Sequence, residues 1–174
     1  MKTAVLILAG MFFVGCRDHH ESSSVEEAGQ PLWIETREVD WNEIQFGGEG
    51  SAQWSDGVLH LEAGVELTGT QFSGELPEMP YELELEACRE AGSDFFCGLT
   101  FPVSSKEECL TFIVGGWGGG TVGVSSIDGM DASENETTTY GNFEEGQWYA
   151  IRLVVEKGKL SAFIDGKQVV DVTT

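Results

Sequence analysis

The sequence predicts an all-β domain of antiparallel strands, and three observations lead there. From Trp33 onward, short apolar or alternating runs are punctuated by glycine, and no ten-residue stretch keeps a helical period. The third is composition: 23 glycines against only 4 prolines, as in a turn-rich β protein. At 174 residues one domain plus a leader is expected, and a 41% hydrophobic content suffices for its core.

The leader comes first. Lys2 precedes an apolar run from Ala4 to Val14 that is too short to span a bilayer, for which about 20 residues are needed. Residues 1–15 therefore read as a secretory signal. Phe13-Val14-Gly15-Cys16 is similar to a bacterial lipobox, with Phe13 where leucine is usual. That resemblance makes Cys16 the acylated first residue of the mature chain; ordinary cleavage leaving an idle thiol is the alternative. Arg17 follows in place of the Asp of an inner-membrane retention signal, so an outer-membrane address is expected. Residues 16–30 are polar, including His19 and His20, and are expected to be the lipidated cysteine and a flexible tether.

Residues 31–174 are then the folded domain. Strands are predicted over 33–39, 51–54, 58–62, 65–72, 81–89, 94–103, 109–115, 121–126, 147–156, 160–165 and 168–172. Tyr81, Leu83, Leu85 and Ala87 alternate with Glu82, Glu84, Glu86 and Cys88, so one face of that strand is packed and the other wet, as in a sandwich. Asp56-Gly57, Gly92-Ser93, Lys157-Gly158 and Asp165-Gly166 carry hairpin-turn chemistry. Across a hairpin at Gly92-Ser93, the register that matches apolar to apolar sets Leu85 opposite Phe101 and Ala87 opposite Leu99. It sends Cys88 and Cys97 to opposite faces. Cys97 is thus expected as a buried thiol, although an exported domain leaves a bridge among Cys88, Cys97 and Cys109 open.

The segment GQWYAIRLVVEKGKLSAFIDGKQVVDV, residues 146–172, resembles the closing hairpins of laminin-G and other concanavalin-A-like lectin and glucanase sandwiches. The wider string, from Trp54-Ser55-Asp56-Gly57 through FFCGLTFPV and GGWGGGTVGVSSIDGMDASENET to that hairpin, resembles the bacterial 3-keto-disaccharide hydrolase family. It covers about residues 50–172. The resemblance implies a concanavalin-A-like antiparallel β-sandwich, or jelly roll, and work on glycans, but carries over no catalytic residue. Such sandwiches usually add strands after this hairpin, whereas the sequence stops at Thr173-Thr174, so the last C-terminal strands are expected to be missing.

Charge narrows the partners. The formal charge is −21, from 30 Asp and Glu against 9 Lys and Arg, and such a surface repels phosphate backbones and anionic headgroups. Nucleic acid is excluded, and the membrane is expected to be met through the lipid anchor alone. A glycan, a cation or a basic protein suits the charge, as does simple solubility.

Few residues could carry chemistry. Histidine is almost absent, and His60 reads as an exposed strand residue opposite in face to Leu59 and Leu61. The loop from Ser125 to Glu136 is rich in hard oxygen donors. Asp128, Asp131 and Glu134 could share one Ca²⁺, which takes six to eight oxygens. Together with Asn135 they could instead bond sugar hydroxyls, or form a solvated loop with turn-favouring residues. Asn135-Glu136-Thr137 also matches a glycosylation sequon, idle in a bacterial lipoprotein. Trp117, flanked by glycines, is the aromatic expected to stack on a sugar ring if it is not core. Glu82, Glu84 and Glu86 lie about 6.6–7 Å apart on one strand face, near the carboxylate separation of inverting glycosidases. With no visible partner to raise one pKa, they read first as the wet side of the strand and only second as catalytic carboxylates.

The expected function is a surface-tethered glycan-binding or glycan-processing module, with glycoside or 3-keto-glycoside hydrolysis as its enzymatic form. The alternative is a non-catalytic structural or protein-interaction domain of the envelope.

Overall fold

A computed structural model describes residues 3–7, 13–14, 35–105 and 107–173, the first two spans through their backbone pairing. The fold is all-β and antiparallel, as the sequence predicts. Its strands are β1 (Thr3–Ile7), β2 (Phe13–Val14), β3 (Trp41–Glu43), β4 (Ala52–Ser55), β5 (Val58–Glu62), β6 (Thr70–Phe72) and β7 (Tyr81–Arg89). They continue as β8 (Cys97–Pro102), β9 (Cys109–Gly115), β10 (Thr121–Ser125), β11 (Thr139–Tyr140), β12 (Trp148–Glu156), β13 (Lys159–Ile164) and β14 (Lys167–Val172). A large sheet has the order β14-β13-β12-β7-β1-β5-β4, with β2 also paired to β7, and a smaller one the order β11-β10-β9-β8. β3 and β6 form a separate pair.

One core lies between the two sheets. Alternation supplies it from the large sheet through Leu85 and Ala87 of β7, Ile151 and Leu153 of β12, and Leu160 and Ala162 of β13. Phe101, Phe112, Val114, Val122 and Val124 face them from the smaller sheet. Register keeps like against like: Leu83 lies opposite Leu153 and Leu85 opposite Ile151, while Phe112 lies between Leu99 and Val124. Each large apolar side chain removed from water contributes about 1.5–3 kcal/mol, so this face-to-face burial dominates the stability of the sandwich. The Tyr81 hydroxyl crosses the layers to donate to the Pro102 carbonyl.

The closing meander follows the sequence closely, β12 turning at Lys157-Gly158 into β13 and β13 at Asp165-Gly166 into β14. Asp56 and Gly57 (φ 53° and 79°) and Asp165 and Gly166 (φ 50° and 75°) hold the positive φ at both central positions that two-residue hairpins of matching twist require.

Three expectations are corrected. The predicted hairpin at Gly92-Ser93 does not exist, because β7 and β8 belong to opposite sheets and the intervening segment crosses the end of the sandwich. Leu85 and Ala87 therefore pair with Ile151 and Tyr149, and Leu99 and Phe101 with Phe112 and Leu110. The alternation was informative about faces, but two inward faces can meet across a core as readily as side by side.

Over the described residues 35–39, the expected strand gives way to a 3₁₀ turn at Glu38–Asp40, with β3 starting at Trp41. Asp40 closes that turn locally, its backbone N–H donating to Arg37 O at 2.9 Å and its carboxylate accepting from Arg37 N at 2.7 Å. Only residues 70–72 of the strand expected over 65–72 form one. Val65 N is drawn instead to Gly48 O at 2.7 Å, where a Cβ on Gly64 would meet that same carbonyl.

β1 pairs with both β5 and β7, and β2 with Tyr81 and Glu82 of β7, so part of the apolar run completes the large sheet. Backbone of this run satisfies strand edges that would otherwise lack partners. Cys16 and the tether of residues 16–30 lie outside the described residues. Among the described residues no helix is long and apolar enough to cross a membrane.

Candidate functional site

A concavity opens at the end of the sandwich where β7 finishes and β10 begins. Its volume is about 240 Å³, and five of its nine lining residues are Gly92, Gly118, Gly119, Gly120 and Gly141. The walls are therefore mostly bare backbone. Arg89, Ser93, Asn142 and Phe143 supply the lining side chains. Glycine is a geometric requirement at Gly119, where φ is +101° and a Cβ would come within 3.1 Å of Arg89 Nη1.

Arg89 forms the floor. As residue 89 it continues the inward-facing series of Leu83, Leu85 and Ala87, so its side chain enters the end of the sandwich and is only 7% exposed. Nη1 donates at 3.4 Å to the carbonyls of Asp94 and Gly119, and Nη2 donates to Phe143 O. Its guanidinium also lies 5.6 Å from the centre of the Phe96 ring. Nε is buried without a hydrogen-bond partner. No carboxylate pairs with this cation among the described residues.

Exposed aromatic residues adjoin the lining glycines in sequence. Trp117 immediately precedes the lining glycines, is 51% exposed, and holds a left-handed backbone at φ 45° and ψ 58°. A non-glycine residue there costs on the order of 1 kcal/mol or more, and such strain is characteristically kept at functional positions. Tyr140 is 77% exposed and lies opposite Thr121, beside Gly120 and Gly141, whose backbones are joined at 2.9 Å. Phe95 is partly exposed against Gly116, on the far side of the same turn.

The other expected site residues are distributed differently. Asp128, Asp131 and Glu134 are exposed in the β10–β11 connection, at the end of β10 remote from Trp117. The four residue steps of β10 put about 13 Å between its ends, so Trp117 and the turn at Asp128 lie toward opposite ends of that strand. Asp128 and Gly129 (φ 51° and 74°) form the tip of a tight turn whose ends, Ile127 and Met130, pair. Among the described residues no three His, Cys, Asp or Glu side chains are grouped so as to hold a metal ion, and the trio expected for Ca²⁺ does not converge.

Asn135 is committed to the loop itself. Its Nδ2 donates to Val124 O at 2.8 Å and Asp131 O at 2.9 Å, while Oδ1 accepts from Thr137 N at 3.0 Å and Thr137 Oγ1 at 2.6 Å. Thr137 Oγ1 in turn accepts from Val124 N at 2.8 Å. Beyond the two residues of β11, these side chains replace a strand along the edge of β10.

Glu82, Glu84 and Glu86 occupy the outer face of β7, opposite to Arg89. Glu82 Oε2 accepts from Arg152 Nη1 at 3.1 Å, and Arg152 also covers the Phe163 ring at 4.4 Å from its centre. His60 lies 3.8 Å from Glu90 at the surface. Cys88 and Cys97 are buried thiols, and burial pushes Cys97 up to about 12.

The sequence pointed to Trp117 and to its glycines but missed Arg89, Tyr140 and Phe95. The inward phase of Arg89 was the available signal: extending the Leu83, Leu85, Ala87 alternation by one step places a charge inside. Compared with known proteins, the chain matches no protein family, no curated protein and no solved structure.

Proposed function

We propose that the protein is a glycan-binding module held in the bacterial cell envelope by a lipid on Cys16. The observation that carries the binding role is Trp117, an exposed indole kept on left-handed backbone and next in sequence to the glycines that line a concavity. Apolar ring faces next to hydrogen-bonding backbone suit a sugar, which presents C–H groups on one face and hydroxyls at its edge. Export rests on Lys2, the apolar run from Ala4 to Val14, and Cys16 in its lipobox-like setting.

Binding is favoured over hydrolysis because the concavity has no Asp, Glu or His among its lining residues, and hydrolysis of a glycosidic bond ordinarily needs two placed carboxyl groups. The similarity to 3-keto-disaccharide hydrolases bears on the ligand class and not on a reaction. The test is the thermal midpoint across a panel of neutral and acidic oligosaccharides, since a ligand that binds only the folded state raises it by mass action. A rise lost in Trp117→Ala is the expected result. No shift with any member would leave the interaction domain as the better reading, and product release from a 3-keto-glycoside would make the protein an enzyme.

A further inference from the structure

We infer that the Arg89 concavity takes a carboxylate, carried by an acidic sugar such as a uronate. The inference deepens the glycan-binding reading and rests on it for the sugar, but the anion site stands on its own geometry. Arg89 is more than nine-tenths buried, in a chain with more than three acidic residues for every basic one, yet no carboxylate neutralises it among the described residues. A buried guanidinium ordinarily has a paired anion, because carbonyl dipoles offset only part of the cost of removing its charge from water. The carbonyls it meets leave donors over: two of the three contacts are at 3.4 Å, and Nε has no acceptor.

That unmatched charge lines an open cavity of about 240 Å³. A single sugar unit is the ligand inferred for it. Planar guanidinium donors fit a carboxylate in paired fashion, and the glycine backbone brings the ligand close to them. Trp117, exposed and next in sequence to the lining Gly118, then meets the rest of the ring or the next unit.

Selectivity follows from the overall charge of −21. The negative surface opposes any anion at long range, so only one small enough to reach Arg89 gains from it. Salt screens the exposed surface more than a buried pair. Binding of a monovalent uronate is therefore expected to survive an ionic strength that abolishes nonspecific ionic attraction.

The experiment titrates glucuronate, glucose and acetate into the full chain at matched ionic strength, following the backbone amides of Gly118, Gly119 and Gly120 by NMR. Because Arg89 also holds loop carbonyls, the variant is Ser93→Glu. It sets a competing carboxylate on the exposed rim without touching the core. Saturable shifts with glucuronate, weakened about tenfold or more in Ser93→Glu, are expected. Shifts from glucuronate and acetate of equal affinity would keep the anion site and remove the sugar. Equal shifts from glucose and glucuronate, unaffected by Ser93→Glu, would keep a glycan site and overturn the role of Arg89. No shift of these amides with any of the three would overturn the site.

Discussion

Replacing Asn135 with alanine separates a structural role for the 125–138 loop from a ligand-binding one. The substitution deletes four hydrogen bonds of 2.6–3.0 Å, to Val124 O, Asp131 O, Thr137 N and Thr137 Oγ1. A net contribution of about 0.5–1.5 kcal/mol each gives a nominal loss of about 2–6 kcal/mol. Water can reach part of this half-buried loop, so about 3 kcal/mol is expected. A domain of this size shifts by about 2–4 °C per kcal/mol, which makes the fall in Tm about 10 °C. Differential scanning calorimetry of Asn135→Ala against Asp128→Ala reads it directly. Asp128 is exposed at the turn tip, and its substitution is expected to change stability by about 0.5 kcal/mol or less. A fall below about 2 °C for Asn135→Ala, or equal falls for both, would refute the assignment of Asn135 as the clamp on β10.

Three further predictions follow from other parts of the molecule. Burial raises the Cys97 thiol from an ordinary value of 9.0 to about 12, so folding favours the protonated form; its contribution is whole below about pH 9 and is lost as pH rises toward 12, to on the order of 4 kcal/mol. Burial acts on Tyr81 in the same direction. Denaturant unfolding from about pH 8 to 11 should therefore fall more steeply for the wild type than for Cys97→Ala, and parallel curves would contradict this. Glu84→Gln should leave glycan binding unchanged, because Glu84 lies on the outer face of β7, away from Arg89; titration showing a loss of binding would relocate the site. The chain beginning at Cys16, which the lipid-anchor proposal makes the mature form, lacks β1, whose pairing joins β5 to β7, and hydrogen exchange should show faster amides in Val58–Glu62 and at Glu86–Arg89 than in the full chain. Unchanged exchange would mean that β1 does not protect them.

Much of the fold was legible because strand alternation is strong where one face is buried. Tyr81, Leu83, Leu85 and Ala87, and the closing meander with its Asp165-Gly166 turn, were readable from period and turn chemistry alone. The partnership of β7 and β8 was not, since alternation states which face is inward and says nothing about which sheet a strand joins. The short β11 was hidden because Thr139 and Tyr140 offer no period at all, and side chains of Asn135 and Thr137 supply its continuation.

The site was legible in part for a related reason. Trp117 among glycines was a local signal, and local signals survive in sequence. Its grouping with Asp128, Asp131 and Glu134 relied on nearness along the chain, which one extended strand, β10, is enough to undo. Arg89 and Gly141 come to the same concavity from residues 28 before and 24 after Trp117, and only the sandwich brings them there.

The central claim is that Trp117 meets a glycan. It is tested most directly by following the indole Nε1–H resonances of the 5 tryptophans while an oligosaccharide found to raise Tm is titrated in. Saturable movement of the Trp117 resonance, with Trp41, Trp54 and Trp148 little changed, is predicted. Saturation that moves one of those three and leaves Trp117 in place would contradict it.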